Sequence, residues 1–215
     1  GDAGRIDAIT DDGQYHAWTE INVPQRPFEI ENVDTVTVPL AQSGYTTEYL
    51  RYRITINDRP NETNYYRIVI DKQTTLWGYN HEEGGDDYIY WTKHSYNFIG
   101  REDVVLTDGQ PTTGDDEDNG LFDTAKNIYG VFDDTRFRNT SYTMTVYNNT
   151  KIETGSDSGY FSGMDVIIRL MSITETEYYY LKALNLVDSD AYDETINEPI
   201  KYPSNVHGGT GMVGI

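Results

Sequence analysis

The chain has 215 residues, with 16 Lys and Arg against 36 Asp and Glu, a formal net charge of −20, and no cysteine. Phosphate binding needs clustered Lys or Arg to displace counterions, so nucleic acid and anionic membrane surfaces are excluded as partners, and the missing cysteine excludes disulfide scaffolds, thiolate zinc sites and thiol nucleophiles. A chain of this length removes roughly 70% of its unfolded surface from water on folding, and its 13% aromatic residues favour a folded domain over a disordered polyanion.

No apolar run approaches the roughly 20 residues of a membrane-spanning helix, and Gly1-Asp2-Ala3-Gly4 has neither the basic nor the apolar region of a signal peptide. Apolar/polar alternation then predicts strands over Gln14–Asn22, Ile30–Val38 and Tyr49–Asn57. In the last of these, Leu50, Tyr52, Ile54 and Ile56 share one face, and Arg51, Arg53 and Thr55 the other. The turn-forming run Asp58-Arg59-Pro60-Asn61 leads to a strand over Asn64–Asp71, with Tyr66, Ile68 and Ile70 on one face, and the two read as a hairpin. Further strands are predicted over Tyr88–His94, Asp103–Thr107, Ser141–Tyr147 and Asp165–Ile173. These eight stretches, joined by Gly- and Asn-rich connections, predict a mainly β protein, an antiparallel β-sandwich.

One segment changes period. Two overlapping capping boxes, Ser172 with Glu175 and Thr174 with Glu177, precede Tyr178, Leu181 and Leu184 at helical spacing, which predicts one short helix at about 175–186, near the C-terminus. The final residues, Gly211 to Ile215, could form a strand.

The stretch Asp108 to Asn139 is the least regular. From His81 to Asp134 there are 14 acidic and three basic residues, so −11 of the −20 is concentrated in one quarter of the chain, which predicts one acidic face or end. Clustered oxygens invite a calcium reading. Asp115, Glu117, Asn119 and Gly120 fill the first half of an EF-hand loop, but Lys126 stands where the bidentate acid is required, so that template fails. A calcium site of another kind, from Asp115, Glu117, Asn119 or Asp123, stays open beside the simpler reading of a solvated acidic loop; no other metal or cofactor is expected.

Catalytic templates are missing. Gly209-Thr210-Gly211-Met212-Val213-Gly214 matches G-x-G-x-x-G, but one residue remains after the last Gly, so no helix can follow to hold a pyrophosphate. His81-Glu82 lacks the second His of a zincin, there is no G-x-S-x-G elbow, and His16, His81, His94 and His207 have no metal-ligand spacing. Any carboxylate pair for glycoside hydrolysis could be drawn from 36 acids in many ways and so means little. No catalytic residue is assigned.

The aromatic residues are more specific. Leu76-Trp77-Gly78-Tyr79-Asn80-His81 and Tyr88-Ile89-Tyr90-Trp91 flank the acidic turn Glu82 to Asp87. Flat rings beside carboxylates can stack on sugar faces or hold peptides and cations, which makes Trp77, Tyr79 and Trp91 the candidate ligand-binding residues. The same alternation also fits rings that line the core, with either Tyr88 and Tyr90 or Ile89 and Trp91 pointing inward.

Three stretches together resemble the domain of unknown function 4249 family. They are Trp18-Thr19-Glu20-Ile21-Asn22-Val23-Pro24, Ile56-Asn57-Asp58-Arg59-Pro60-Asn61-Glu62-Thr63-Asn64-Tyr65-Tyr66-Arg67, and Asn197-Glu198-Pro199 leading to Tyr202-Pro203-Ser204-Asn205-Val206-His207-Gly208-Gly209-Thr210-Gly211. Val131-Phe132-Asp133-Asp134 and Phe122-Asp123 are similar to the family's acidic mid-region, and Tyr178-Tyr179-Tyr180-Leu181 to its Tyr-rich helix. The resemblance implies a Bacteroidota lipoprotein encoded beside TonB-dependent outer-membrane receptors. It further implies an outer-membrane or cell-surface location, reached through a lipid anchor on a cysteine absent from this chain. On that reading residues 1–22 are the last strand or connection of a missing N-terminal β domain, and 23–215 one sandwich domain.

Three functions follow as expectations. The first is a non-enzymatic lipoprotein accessory to TonB-dependent nutrient uptake, binding a ligand, the receptor, or both. The second is a carbohydrate-binding module or glycan-active enzyme, with a small glycan or peptide as ligand. The third is a structural cell-surface domain.

Overall fold

The computed structural model describes residues 2–27, 29–42, 45–79, 88–96, 100, 103–109, 127–150, 160–188 and 200–214. It is mainly β, with antiparallel pairing throughout the described strands and one helix near the C-terminus. The strands are β1 (Ala3–Ile9), β2 (His16–Asn22), β3 (Asn32–Gln42), β4 (Tyr45–Asn57), β5 (Tyr65–Tyr79), β6 (Tyr88–Ser95), β7 (Val131–Asp133), β8 (Ser141–Asn149) and β9 (Tyr160–Ile173); the helix is α1 (Glu175–Val187).

β1 and β2 form a two-stranded ribbon, and β3, β4 and β8 a three-stranded sheet with β4 central. In the third sheet β9 runs along one edge of β5, while β6 and β7 share its other edge, β7 beside Tyr65–Arg67 and β6 beside Lys72–Tyr79. The inward faces of the two larger sheets meet in one core: Tyr52, Ile54 and Ile56 of β4 and Met144 and Val146 of β8 against Tyr66, Ile68 and Ile70 of β5, closed by Phe132 and Phe137. The alternation in the sequence therefore assigns these faces correctly.

It does not assign the strand partners. The hairpin expected between the strands at 49–57 and 64–71 does not form, because β3 and β8 occupy both edges of β4. Instead the connection carries the chain from one sheet to the other, and Asp58 fixes it. This buried carboxylate accepts the Tyr66 hydroxyl at 3.0 Å and the Asn139 backbone N–H at 2.8 Å. Asp134, with no exposed surface, accepts the Asn64 backbone N–H at 2.8 Å and Arg138 at 3.0 Å. Asp58, Asn64 and Tyr66 of the second motif stretch thus meet Asp134 of the mid-region in one knot of satisfied buried acids.

The strand expected over Asp103–Thr107 is a turn. Its Asp103 carboxylate accepts the N–H groups of Val105 and Leu106 at 3.0 and 3.2 Å, so the side chain supplies bonds that a ladder would otherwise make. The other carboxylate oxygen takes the Thr145 N–H of β8 at 2.8 Å. β5 and β9 are longer than their apolar cores, and β1 and β7 carry too little alternation to be read in advance. Residues 211–214 form no strand.

α1 begins where the second capping box puts it. Thr174 Oγ1 accepts the Glu177 N–H at 3.2 Å, while Ser172 stays in β9. Tyr178 and Leu181 pack with Val131 and Ile173 against the face of β5 away from the main core. The buried Asn185 donates to Asn127 at 2.9 Å and accepts the Tyr129 N–H at 2.9 Å, docking the helix on the segment before β7. No described helix is long and apolar enough to cross a membrane.

Candidate functional site

Along β5 the even-numbered residues from Tyr66 to Leu76 face the main core, so the odd ones face outward. α1 covers one end of this outer face, through Tyr65 against Tyr178. At the other end Trp77 pairs in register with Tyr90 of β6 and Tyr160 of β9, which sets three aromatic residues in a row across three strands. Adjacent strands lie about 4.8 Å apart, so the row spans roughly 10 Å between its outer backbones. Trp77 stacks on Tyr160 at 4.7 Å and 27°, and Tyr88 tilts against Trp77 at 5.4 Å and 57°. Trp77 is half-buried, whereas Tyr88, Tyr90 and Tyr160 are 56%, 65% and 59% exposed.

The three residues predicted for ligand binding do not form one platform. Trp77 is the centre of the row, and Tyr79 pairs by its backbone with Tyr88. Trp91 pairs with Leu76 on the opposite face of the sheet. A Cβ built on Gly78 would lie 3.2 Å from the Trp91 ring, so this indole is packed down over a glycine. Of the two inward-facing alternatives, Ile89 and Trp91 share the side of the fully buried Leu76, while Tyr88 and Tyr90 point outward. Tyr160 is the residue that sequence reasoning misses: it lies 83 positions beyond Trp77, and only antiparallel pairing of β9 on β5 brings the two together. The sole local signal is the aromatic pair Tyr160-Phe161 ahead of the apolar run.

From Gln73 to Asp71, four to six residues along β5 from Trp77 or roughly 13–20 Å, the outer face is polar. Asp71 is buried and accepts Gln73 Nε2 at 2.8 Å, His94 Nδ1–H at 2.9 Å and Arg169 Nη1 at 3.4 Å. Burial alone would raise its carboxyl, but the hydrogen bonds from Gln73, His94 and Arg169 and the charge of His94 hold it below the ordinary aspartate range. His94 and Arg169 keep much of their own surface open to solvent. The outer face therefore offers a ring platform at one end and fixed hydrogen-bonding groups roughly 13–20 Å farther along.

A second concavity lies between β2, the start of α1 and residues 205–214. It holds about 130 Å³ and is lined by Glu20, Asn22, Thr174, Glu177, Asn205 and Gly214 among others. Burial pushes the Glu177 carboxyl up, against the opposing pull of Arg67 and the Thr174 N–H. Ligand pockets of small molecules run to about 300 Å³ or more, so this one has room for a few waters. Among the described residues no group of three or more His, Asp and Glu could hold a metal ion. The calcium candidates Asp115, Glu117, Asn119 and Asp123, and the acidic turn Glu82 to Asp87, lie outside the described residues.

The family model described as domain of unknown function (DUF4249) matches residues 1–215, and the chain belongs to that family. No curated protein and no solved structure matches the chain.

Proposed function

We propose that this member of the DUF4249 family is a non-enzymatic binding protein that holds a saccharide on the aromatic row of its outer sheet face. The carrying observation is the row itself, Trp77 stacked on Tyr160 with Tyr88 and Tyr90 beside it, on three hydrogen-bonded strands. A sugar ring presents a flat C–H face that stacks on an indole, and its hydroxyls need donors and acceptors within reach. For an oligosaccharide laid along the strands, Gln73 and His94, about 13 Å from Trp77, and Arg169 farther along, supply these to a later sugar unit, already oriented by Asp71. Rigid strands hold the rings in place, so little ordering cost falls on binding.

The biological setting in this reading comes from the resemblance of the three motif stretches: an outer-membrane lipoprotein of Bacteroidota, accessory to a TonB-dependent receptor and presenting nutrient to it. The two halves of the proposal separate experimentally. A glycan array should give reproducible binding to one polysaccharide class, lost in Trp77→Ala; silence across the array rejects the saccharide. Affinity capture from envelope extracts of the source organism should retain a TonB-dependent receptor, and capture of none rejects the uptake role.

A further inference from the structure

The outer face of the third sheet carries a second exposed ring beyond the row at Trp77. Tyr96, 55% exposed, stacks on His94 at 6.2 Å and 18°. It lies two residues past His94, which pairs with Gln73, and so stands roughly 20 Å along the strands from Trp77. Between these two stations the face is low. Thr75 is flanked there by Thr92 on one side and Gly163 on the other, and a Cβ added at Gly163 would meet nothing within 4 Å. Nearer the second station, Gln73 and His94 each give one N–H to Asp71, which leaves the amide oxygen and Nε2 to meet sugar hydroxyls. Fixed charge along this path is either countered or negative. Arg169 and His94 are committed to Asp71, at 3.4 and 2.9 Å, while Asp165, level with Gln73, is an exposed carboxylate. By sequence, the connection from Tyr79 to Tyr88 adds Glu82, Glu83, Asp86 and Asp87 at the Trp77 end, in a chain of net charge −20. A polyanion is repelled on approach to such a face.

Taking the aromatic row as a saccharide site, we infer that its ligand is a linear, uncharged polysaccharide laid along the strands, with one sugar stacked at Trp77 and Tyr160 and a later one at Tyr96. The roughly 20 Å between the stations sets the length: a disaccharide reaches one of them, whereas a chain of about five sugars reaches both. Both rings ride on paired strands of one sheet, so the second contact acts as a linked site and adds affinity at little further ordering cost.

An array that carries neutral, uronate and sulfated polysaccharides should give a neutral one as its strongest binder, with affinity changing less than about twofold between about 50 and about 500 mM NaCl. Calorimetry with size-defined fragments of that glycan should find a hexasaccharide at least about tenfold tighter than the disaccharide. Tyr96→Ala should cut this ratio to about twofold. Gly163→Ile, which the open space at Gly163 accommodates and which raises the floor between the stations, should cut it likewise. A uronate or sulfated glycan as strongest binder overturns the charge class; a wild-type ratio near one, or an unchanged ratio in Tyr96→Ala, overturns the two-station track. In each of these cases, loss of binding in Trp77→Ala would still uphold the aromatic row, whereas silence across the array rejects the saccharide and its proposed class together.

Discussion

Three buried carboxylates, Asp58, Asp103 and Asp134, hold the connections of this molecule, and each has both oxygens occupied. Removing one leaves its buried donors without an acceptor, which costs about 1–3 kcal/mol per unsatisfied group. Asp134→Ala is expected to lose about 3 kcal/mol, read as a lowered urea midpoint with unchanged slope. Asp71 plays a different part, because its partners face solvent. Its carboxyl lies below the ordinary value near 3.9, so its contribution is fully present above that pH and is lost as pH falls through the depressed folded value. The stability gap between wild type and Asp71→Asn, measured by urea unfolding, should therefore be full at pH 7 and shrink below about pH 4. The acidic character of the motif residues was legible in the sequence, but their role was not: only the fold shows that Asp58, Asn64 and Asp134 satisfy one another.

At the level of elements, local signals served where the decision is local. The Thr174 capping box marks the first turn of α1, and Thr174→Ala should cost about 1 kcal/mol, whereas Ser172→Ala should cost little because Ser172 lies in β9. Gly130 is another local necessity: its φ is +65°, and a Cβ there would stand 2.2 Å from the Ile68 carbonyl oxygen. Gly130→Ala should thus destabilise by about 2 kcal/mol or more, seen as a fall in Tm. Partner choice was not legible, since alternation in β4 and β5 defines faces but is silent on whether they pair or oppose each other. The run Val104-Val105-Leu106 misled for a similar reason. Val105 and Leu106 are buried while Val104 is exposed, and Asp103 ties their backbone into a turn.

Across the whole molecule, sequence reasoning grouped aromatic residues that prove to lie on two neighbouring strands, β5 and β6, and mixed their two faces. Trp77 and Trp91 are both aromatic residues of the same sheet, yet the register sends one outward and one onto Gly78. Tyr160 joined the row only through long-range pairing. This division gives the account its sharpest test. With a polysaccharide identified on the array, the affinities of Trp77→Ala and Trp91→Ala are measured by calorimetry, each at a temperature where unfolding curves show it folded. The outer-face account predicts at least about tenfold weaker binding for Trp77→Ala, equivalent to about 1.4 kcal/mol, and near wild-type affinity for Trp91→Ala with reduced stability. Unchanged affinity in Trp77→Ala, or a loss confined to Trp91→Ala, would contradict it.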